Sequence, residues 1–387
     1  MKIAIFSDTF YPRVNGVANV AFKSAEALGD IGHEVRVFTV SEKSEEYFCD
    51  VGNGKFKVST SFSLPFWGYP EERFSLPYGS VIRRIRDSRP DVIHTHTPFA
   101  VGWEAVLAAK LFGIPLIGTH HTFYDHYLKH VKLDYKWIKI PSWKYVVGYY
   151  NQCNLILSPS QSLTDELIEH GLKKPAIVIP NPVDTELFVP VPDAPKKKAL
   201  KKKFGIPGPS IVYMGRVSYE KNIAQLVKAA GLLVKKIPGM KFVIIGDGPE
   251  IQNLRELVYK LGIKDSVIFL GFLRGQDLVE ALQANDIFVT ASKSENQPLS
   301  VIEAMAAGLP VVAVSALGIP EIVQDGVNGY LTHSDMPDEL ADKISGLWGD
   351  KKNMKKFSLA SRSISLHYSQ DKVARILEAA YKKLLIK

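Results

Sequence analysis

The residues with the most chemistry in them lie in the second half of the chain, where SENQPLSVIEAMAAGLPVVAV occupies positions 294–314. Glu295 sits in a polar run, and Glu303 lies further on inside a stretch of helical character. A strand-like run, DIFVTAS, comes just before, so the loop with Glu295, Asn296 and Gln297 falls at the carboxyl edge of a sheet, where open α/β folds bind ligands. Carboxylates accept hydrogen bonds from sugar hydroxyls. First-turn amides of the helix, near Leu299 and Ser300, suit a phosphate. Paired glutamates alone would be ordinary surface charges, and it is the neighbouring motifs that favour a site.

The run MGRVSYEKN at 214–222 also follows a strand and brings Arg216 and Lys221 to its end. Arginine offers a bidentate fork and lysine a mobile point charge, a pair suited to neutralising a departing diphosphate. Near the N-terminus, PRVNGVANV puts Gly16 between a strand and a helix, where backbone can approach a phosphate closely. No GxGxxG occurs there, which argues against a dinucleotide-binding oxidoreductase. IGDGPE at 245–250 reads as a strand-to-helix turn. GTHHTFYDHYLKH at 118–130 contains His120, His121, His126 and His130. Adjacent strand-end residues point in opposite directions and no carboxylate motif completes a metal site, so a single histidine facing a sugar or a water-excluded catalytic pocket is the better reading.

These residues need strands to carry them. KIAIFSD opens as a buried strand, and a loop, an amphipathic helix and a second strand follow in βαβ order. Strand candidates recur at 91–94, 115–118, 155–158 and 176–179, then at IVYMGRV, KFVIIGDG, SVIFLGF, DIFVTAS and PVVAVSA, with helical patterns between. Such alternation predicts doubly wound parallel sheets. The length of 387 residues favours two domains at roughly 150 residues each. The Pro-, Lys- and Gly-rich run beginning near Val189 reads as the exposed connection. The expected division is 1–190, 191–365, and a C-terminal helix within 366–387 that packs back on the N-terminal domain. Hydrophobic residues at 46% and charged residues at 23% fit a soluble globular chain. No spanning segment or signal peptide is evident, and the two cysteines lack metal or disulfide spacing, so a cytoplasmic protein without cofactor or metal is expected.

Taken together, these motifs resemble the retaining glycosyltransferases of family 4, over nearly the whole chain. The resemblance rests on Glu295 and Glu303 with EAMAAGLPVVA, on GRVSYEK, IPNPVDTELF, IGDGP and PEIVQDGVNGYL. It implies the GT-B architecture, two facing Rossmann-like domains about a cleft, and a nucleotide-sugar donor. It further implies that Arg216 and Lys221 grip the diphosphate, Glu303 the ribose and Glu295 the hexose. Gly16 would line the diphosphate through its backbone, and His121 would lie beside the sugar, with His120 its competitor. Many members have Phe-Gly where this chain has Gln297-Pro298, and Pro298 has no N–H to donate.

The net charge of +8 implies an anionic partner, and no nucleic-acid module is present. Residues 124–150 interleave lysines with aromatics, Lys136, Trp137, Lys139, Trp143 and Lys144 among them, which suits an anionic membrane surface. LPFWGYPEERFSLPYG at 64–79 offers a second contact or a lid. THHTFYDHY is also similar to bacterial diacylglycerol glucosyltransferases, which implies UDP-glucose as donor, a lipid acceptor and a peripheral place on the inner face of the cell membrane. The alternatives are a GDP-mannose-dependent mannosyltransferase, a nucleotide-sugar 2-epimerase and a silent sugar-nucleotide-binding protein.

Overall fold

The run Lys2–Phe6 forms a strand whose two faces organise the first half of the chain. Ile3 and Ile5 join one apolar cluster and Ala4 and Phe6 another, as period-two alternation requires. A strand buried on both faces belongs inside a parallel sheet. That sheet has eight strands, in the order Ala176–Val178, Leu155–Ser158, Leu116–Thr119, Val92–Thr95, Lys2–Phe6, Glu34–Ser41, Phe56–Phe62 and Glu46–Cys49. Every pair is parallel except the last, at the edge. The computed structural model describes residues 1–13, 15–49, 56–66, 69–75, 80–122 and 135–386.

Local signals set the helix ends. The Asn15 side chain accepts from the Ala18 amide and opens helix Gly16–Asp30, while Gly113 at φ 67° closes helix Ala100–Phe112. The outer strands Glu46–Cys49 and Phe56–Phe62 were not among the expected ones. The longer of the two buries Ser59, Thr60 and Ser61, with hydrogen bonds such as Thr60 Oγ1 to the Lys43 carbonyl at 2.7 Å, so hydrophobic alternation could not reveal it. Leu64–Phe66 and Tyr69–Phe74 pair as a separate antiparallel hairpin.

The second unit repeats the plan with a six-stranded parallel sheet, ordered Val267–Gly271, Lys241–Ile245, Ser210–Met214, Ile287–Thr290, Val311–Val314 and Gly329–Thr332. Ile211 and Tyr213 face one cluster, Val212 and Met214 the other. The units comprise Met1–Pro182 with Gln370–Lys387, and Val183–Ser369.

The division therefore falls after Pro182, ahead of the expected connection near 190. The lysine-rich run is instead a helix of the second unit, Ala194–Lys203, capped by Asp193. Its Leu200 is buried with Ile206, and Lys197 and Lys201 both pair with Asp286 at 2.7 Å. Sequence texture alone makes paired lysines look like solvated linker. The C-terminal helix Gln370–Leu385 buries Val373, Leu377, Ala380 and Tyr381 in the cluster that holds Ile3 and Ile5, which makes it part of the first unit. The second unit's ends lie together, the Val183 amide donating to the Tyr368 carbonyl at 2.8 Å. Among the described residues, no helix is long and apolar enough to cross a membrane.

Candidate active site

In both sheets the chain winds outward in two directions from a central pair of strands. Open α/β sheets bind ligands at the carboxyl ends of such a pair. In the second unit the pair is Ser210–Met214 with Ile287–Thr290. Arg216 and Lys221 follow the first strand and Glu295 the second, and Lys221 Nζ meets Glu295 Oε1 at 2.7 Å. Burial works against the ammonium, but the Glu295 carboxylate outweighs it and raises the Lys221 pKa, so the lysine stays charged.

The loop with Arg216 is held from several sides. The Tyr213 hydroxyl donates to the Arg216 carbonyl at 2.9 Å, and the Val217 amide donates to the Asp247 carbonyl at 2.9 Å. A Cβ on Gly246 would stand 1.9 Å from the Gly215 carbonyl oxygen, and one on Gly248 2.3 Å from that of Val217. The glycines of IGDGP thus let one turn pack directly on the loop that presents Arg216. The Arg216 side chain is exposed.

The Glu295 loop is fixed in a similar way. The Gly318 amide donates to the Glu295 carbonyl at 3.1 Å, and a Cβ on Gly318 would lie 1.5 Å from the Asn296 carbonyl oxygen. Gln297 and Pro298 are buried, and Pro298 caps helix Leu299–Ala306. Helix geometry leaves the first-turn amides of Leu299 and Ser300 without intrahelical acceptors. Glu303 is half-buried one turn further on, its Cβ tilted back toward that N-terminus. Asn222, at φ 55°, donates to Asp335 at 2.8 Å and Lys293 pairs with the same carboxylate at 2.8 Å, tying another loop to this edge. Sequence reasoning did not single out Tyr213, Gly318, Asn222 or Asp335.

In the first unit the central pair is Lys2–Phe6 with Val92–Thr95. Asp8 and Thr97 bridge its carboxyl end, the Asp8 amide donating to Thr97 Oγ1 at 2.9 Å and the Val101 amide to Asp8 Oδ1 at 3.0 Å. Burial pushes the Asp8 carboxyl above its usual range, against these hydrogen bonds. Beside it lies a histidine cluster that sequence reasoning saw only in part. His94 Nδ1 is 2.8 Å from the Tyr381 hydroxyl and Nε2 2.6 Å from Thr119 Oγ1. His96 Nδ1 is 3.0 Å from His121 Nε2, the rings within 13° of coplanar. Burial pushes His94 and His120 down to about 3 and His121 to about 4, with His121 adding to the effect on the first two. His96 is held well below its ordinary value, also chiefly by burial. The signal for His94 and His96 was present in HTH at the end of an expected strand.

The two competing histidines part company here. His120 turns inside, 1% exposed, its ring edge-on to Tyr150 at 5.1 Å. His121 is half-buried and held by His96. Gly16 begins its helix with nothing within 4 Å of a Cβ built on it. His126 and His130 lie outside the described residues, as do all of 123–134 and Trp67.

The proposed membrane residues also divide. Trp143 is 5% exposed, stacked on His170 at 3.8 Å, because helix Lys136–Tyr150 turns Trp143, Val146, Val147 and Tyr150 toward the core. It is a core residue and not a surface anchor. Trp137 at 74% and Ile140 at 58% are exposed, Lys144 is exposed, and Lys139 is half-buried. Lys136 opens the helix, and its side chain is outside the described set.

The family described as Glycosyltransferase Family 4 matches residues 14–187, and that described as Glycosyl transferases group 1 matches residues 196–363. An alpha-monoglucosyldiacylglycerol synthase of Streptococcus pneumoniae is 30% identical over 340 residues, 87% of this chain and 76% of that one. A GDP-mannose-dependent alpha-mannosyltransferase of Corynebacterium glutamicum is 28% identical over 86% of this chain and 76% of its own. The crystal structure of HepE from Anabaena in complex with UDP superposes with a TM-score of 0.79 at 20% identity, covering 99% of this chain and 100% of that one. That likeness carries the fold, two parallel-sheet α/β domains of the GT-B kind. With a 30% identical relative covered over three quarters of its length, the chain belongs to glycosyltransferase family 4 and is a hexosyltransferase.

Proposed function

We propose that this enzyme transfers glucose from UDP-glucose to a membrane lipid such as diacylglycerol, with retention at the anomeric carbon. The observation that carries the reading is the Lys221–Glu295 pair at the sheet's central crossing, in a chain 30% identical to an alpha-monoglucosyldiacylglycerol synthase. In this reading Arg216 and the firmly charged Lys221 neutralise the departing diphosphate. The Leu299 and Ser300 amides receive a phosphate at a helix N-terminus. The reading gives Glu303 the ribose hydroxyls and Glu295 the hexose, with the Gln297 amide and side chain replacing the contact that Pro298 forgoes.

In the first unit it gives His121 a sugar contact and Gly16 a backbone contact with phosphate, which the open space around Gly16 permits. No side chain is assigned as a covalent nucleophile. Retention would follow from front-face attack, with the leaving phosphate taking the acceptor proton. The exposed Trp137, Ile140 and Lys144 support peripheral binding to an anionic membrane face.

Incubation with UDP-glucose, GDP-mannose or UDP-GlcNAc, with and without diacylglycerol vesicles, tests the reading through nucleotide release and lipid product. Lipid-dependent release of UDP from UDP-glucose is expected. Release only from GDP-mannose would favour the second reading, which the 28% identical mannosyltransferase supports. No release from any donor would refute both.

A further inference from the structure

The histidine cluster of the first unit holds a feature that its family role does not require. His96 is 3% exposed, and its Nδ1 meets His121 Nε2 at 3.0 Å. Its other nitrogen, Nε2, is buried with no hydrogen-bond partner among the described residues. The pocket that His96 lines is walled mainly by apolar side chains, Val20, Leu157, Ile179, Val373 and Leu377 among them. His94, whose ring centre is 4.3 Å away, has both nitrogens engaged by Tyr381 and Thr119.

Both rings of the His96–His121 pair are neutral near pH 7, since burial holds each below its ordinary value. Each therefore carries one proton, and the shared hydrogen bond links the two choices. With the proton on His96 Nε2, a buried N–H would point at no acceptor, and orphaned buried N–H groups are rarer than under-used acceptors. With the proton on Nδ1, it donates to His121 Nε2, and His121 must then carry its own proton on Nδ1.

We propose that His96 is a positioning residue that locks His121 in the Nδ1–H tautomer, so that whatever meets His121 Nδ1 must be a hydrogen-bond acceptor. The choice is made at the carboxyl end of the sheet, by a residue only 3% exposed. The consequence for catalysis rests on the reading of His121 as sugar-facing, whereas the tautomer itself does not.

Selective ¹⁵N labelling of the ten histidines and long-range ¹H–¹⁵N correlation in the donor-free protein reads the tautomer directly. His121→Asn and His96→Gln spectra assign the two rings. A protonated Nδ1 and an unprotonated Nε2 on His121 are expected, and the reverse would overturn the proposal without bearing on the choice of donor sugar. His96→Leu should release His121 toward the Nε2–H form and lower kcat/KM about tenfold. His96→Gln, whose amide can donate to His121, should restore most of it. A shifted tautomer in His96→Leu with unchanged kcat/KM would overturn the positioning role. If His96→Leu does not fold, the wild-type spectrum and the Gln variant still decide.

Discussion

Acidification from pH 7 to pH 5 tests the buried histidine cluster most directly. An unfolded histidine titrates near 6.5, whereas burial holds His94 and His120 at about 3 and His121 at about 4, with His96 also far down. Below pH 6.5 the unfolded chain binds protons that the folded one refuses, so the stability these rings leave intact at pH 7 is lost as pH falls toward the folded values. The loss is about 1.4 kcal/mol per pH unit per ring, or about 2 kcal/mol per ring by pH 5, and about 8 kcal/mol for the cluster. Asp8 works in the opposite sense, because its raised folded pKa relieves a burial penalty as it protonates, and this returns part of the loss. What remains is comparable with the ~5–15 kcal/mol that holds a domain folded. Urea unfolding at pH 7, 6 and 5, followed by tryptophan fluorescence, should show the midpoint falling steeply. His120→Phe, which keeps the ring contact with Tyr150, should lower the slope by about 1.4 kcal/mol per pH unit. A total loss below about 2 kcal/mol at pH 5, the contribution of one ring, would refute the reasoning.

Four further variants have expected outcomes. Lys221→Met should cut kcat by about 10²–10³-fold, and the double cycle with Glu295→Gln should show about 1–3 kcal/mol of non-additivity in kcat/KM, since the pair is in contact at 2.7 Å. Gly318→Ala forces a methyl to within 1.5 Å of the Asn296 carbonyl oxygen, so it should destabilise by about 1–3 kcal/mol and weaken UDP binding, as calorimetry would read. Trp143→Ala should cost about 3–5 kcal/mol in urea unfolding. By contrast, Trp137→Ala should stay within about 0.5 kcal/mol and lower recovery with anionic vesicles.

The central strands were legible because burial on both faces writes them as unbroken apolar runs, and the positions of Arg216, Lys221 and Glu295 because they follow such runs directly. Lys2–Phe6 and Ile287–Thr290 are examples. What escaped notice is what the pattern cannot encode. Ser59, Thr60 and Ser61 are interior through hydrogen bonds, so their strand looks polar. Trp143 and Trp137 look alike in sequence, and only the helix's rotation separates core from surface. Gly318 gains its meaning from Asn296, and His96 from His121, partners more than twenty positions away. The lysines at 196–203 misled because their acidic partners, Asp277, Glu280 and Asp286, lie far along the chain.

The side-by-side ends of the second unit carry a consequence for how the chain comes to be folded. Val183 and Ser369 pair in a parallel bridge, so everything from 183 to 369 forms a closed excursion. A ribosome emits that excursion before the helix Gln370–Leu385, whose Tyr381 supplies the hydroxyl on His94 and part of the apolar cluster behind the first sheet. The unit begun first on the ribosome is therefore finished last. Its sheet must wait, one apolar face incomplete, until the inserted unit has been made.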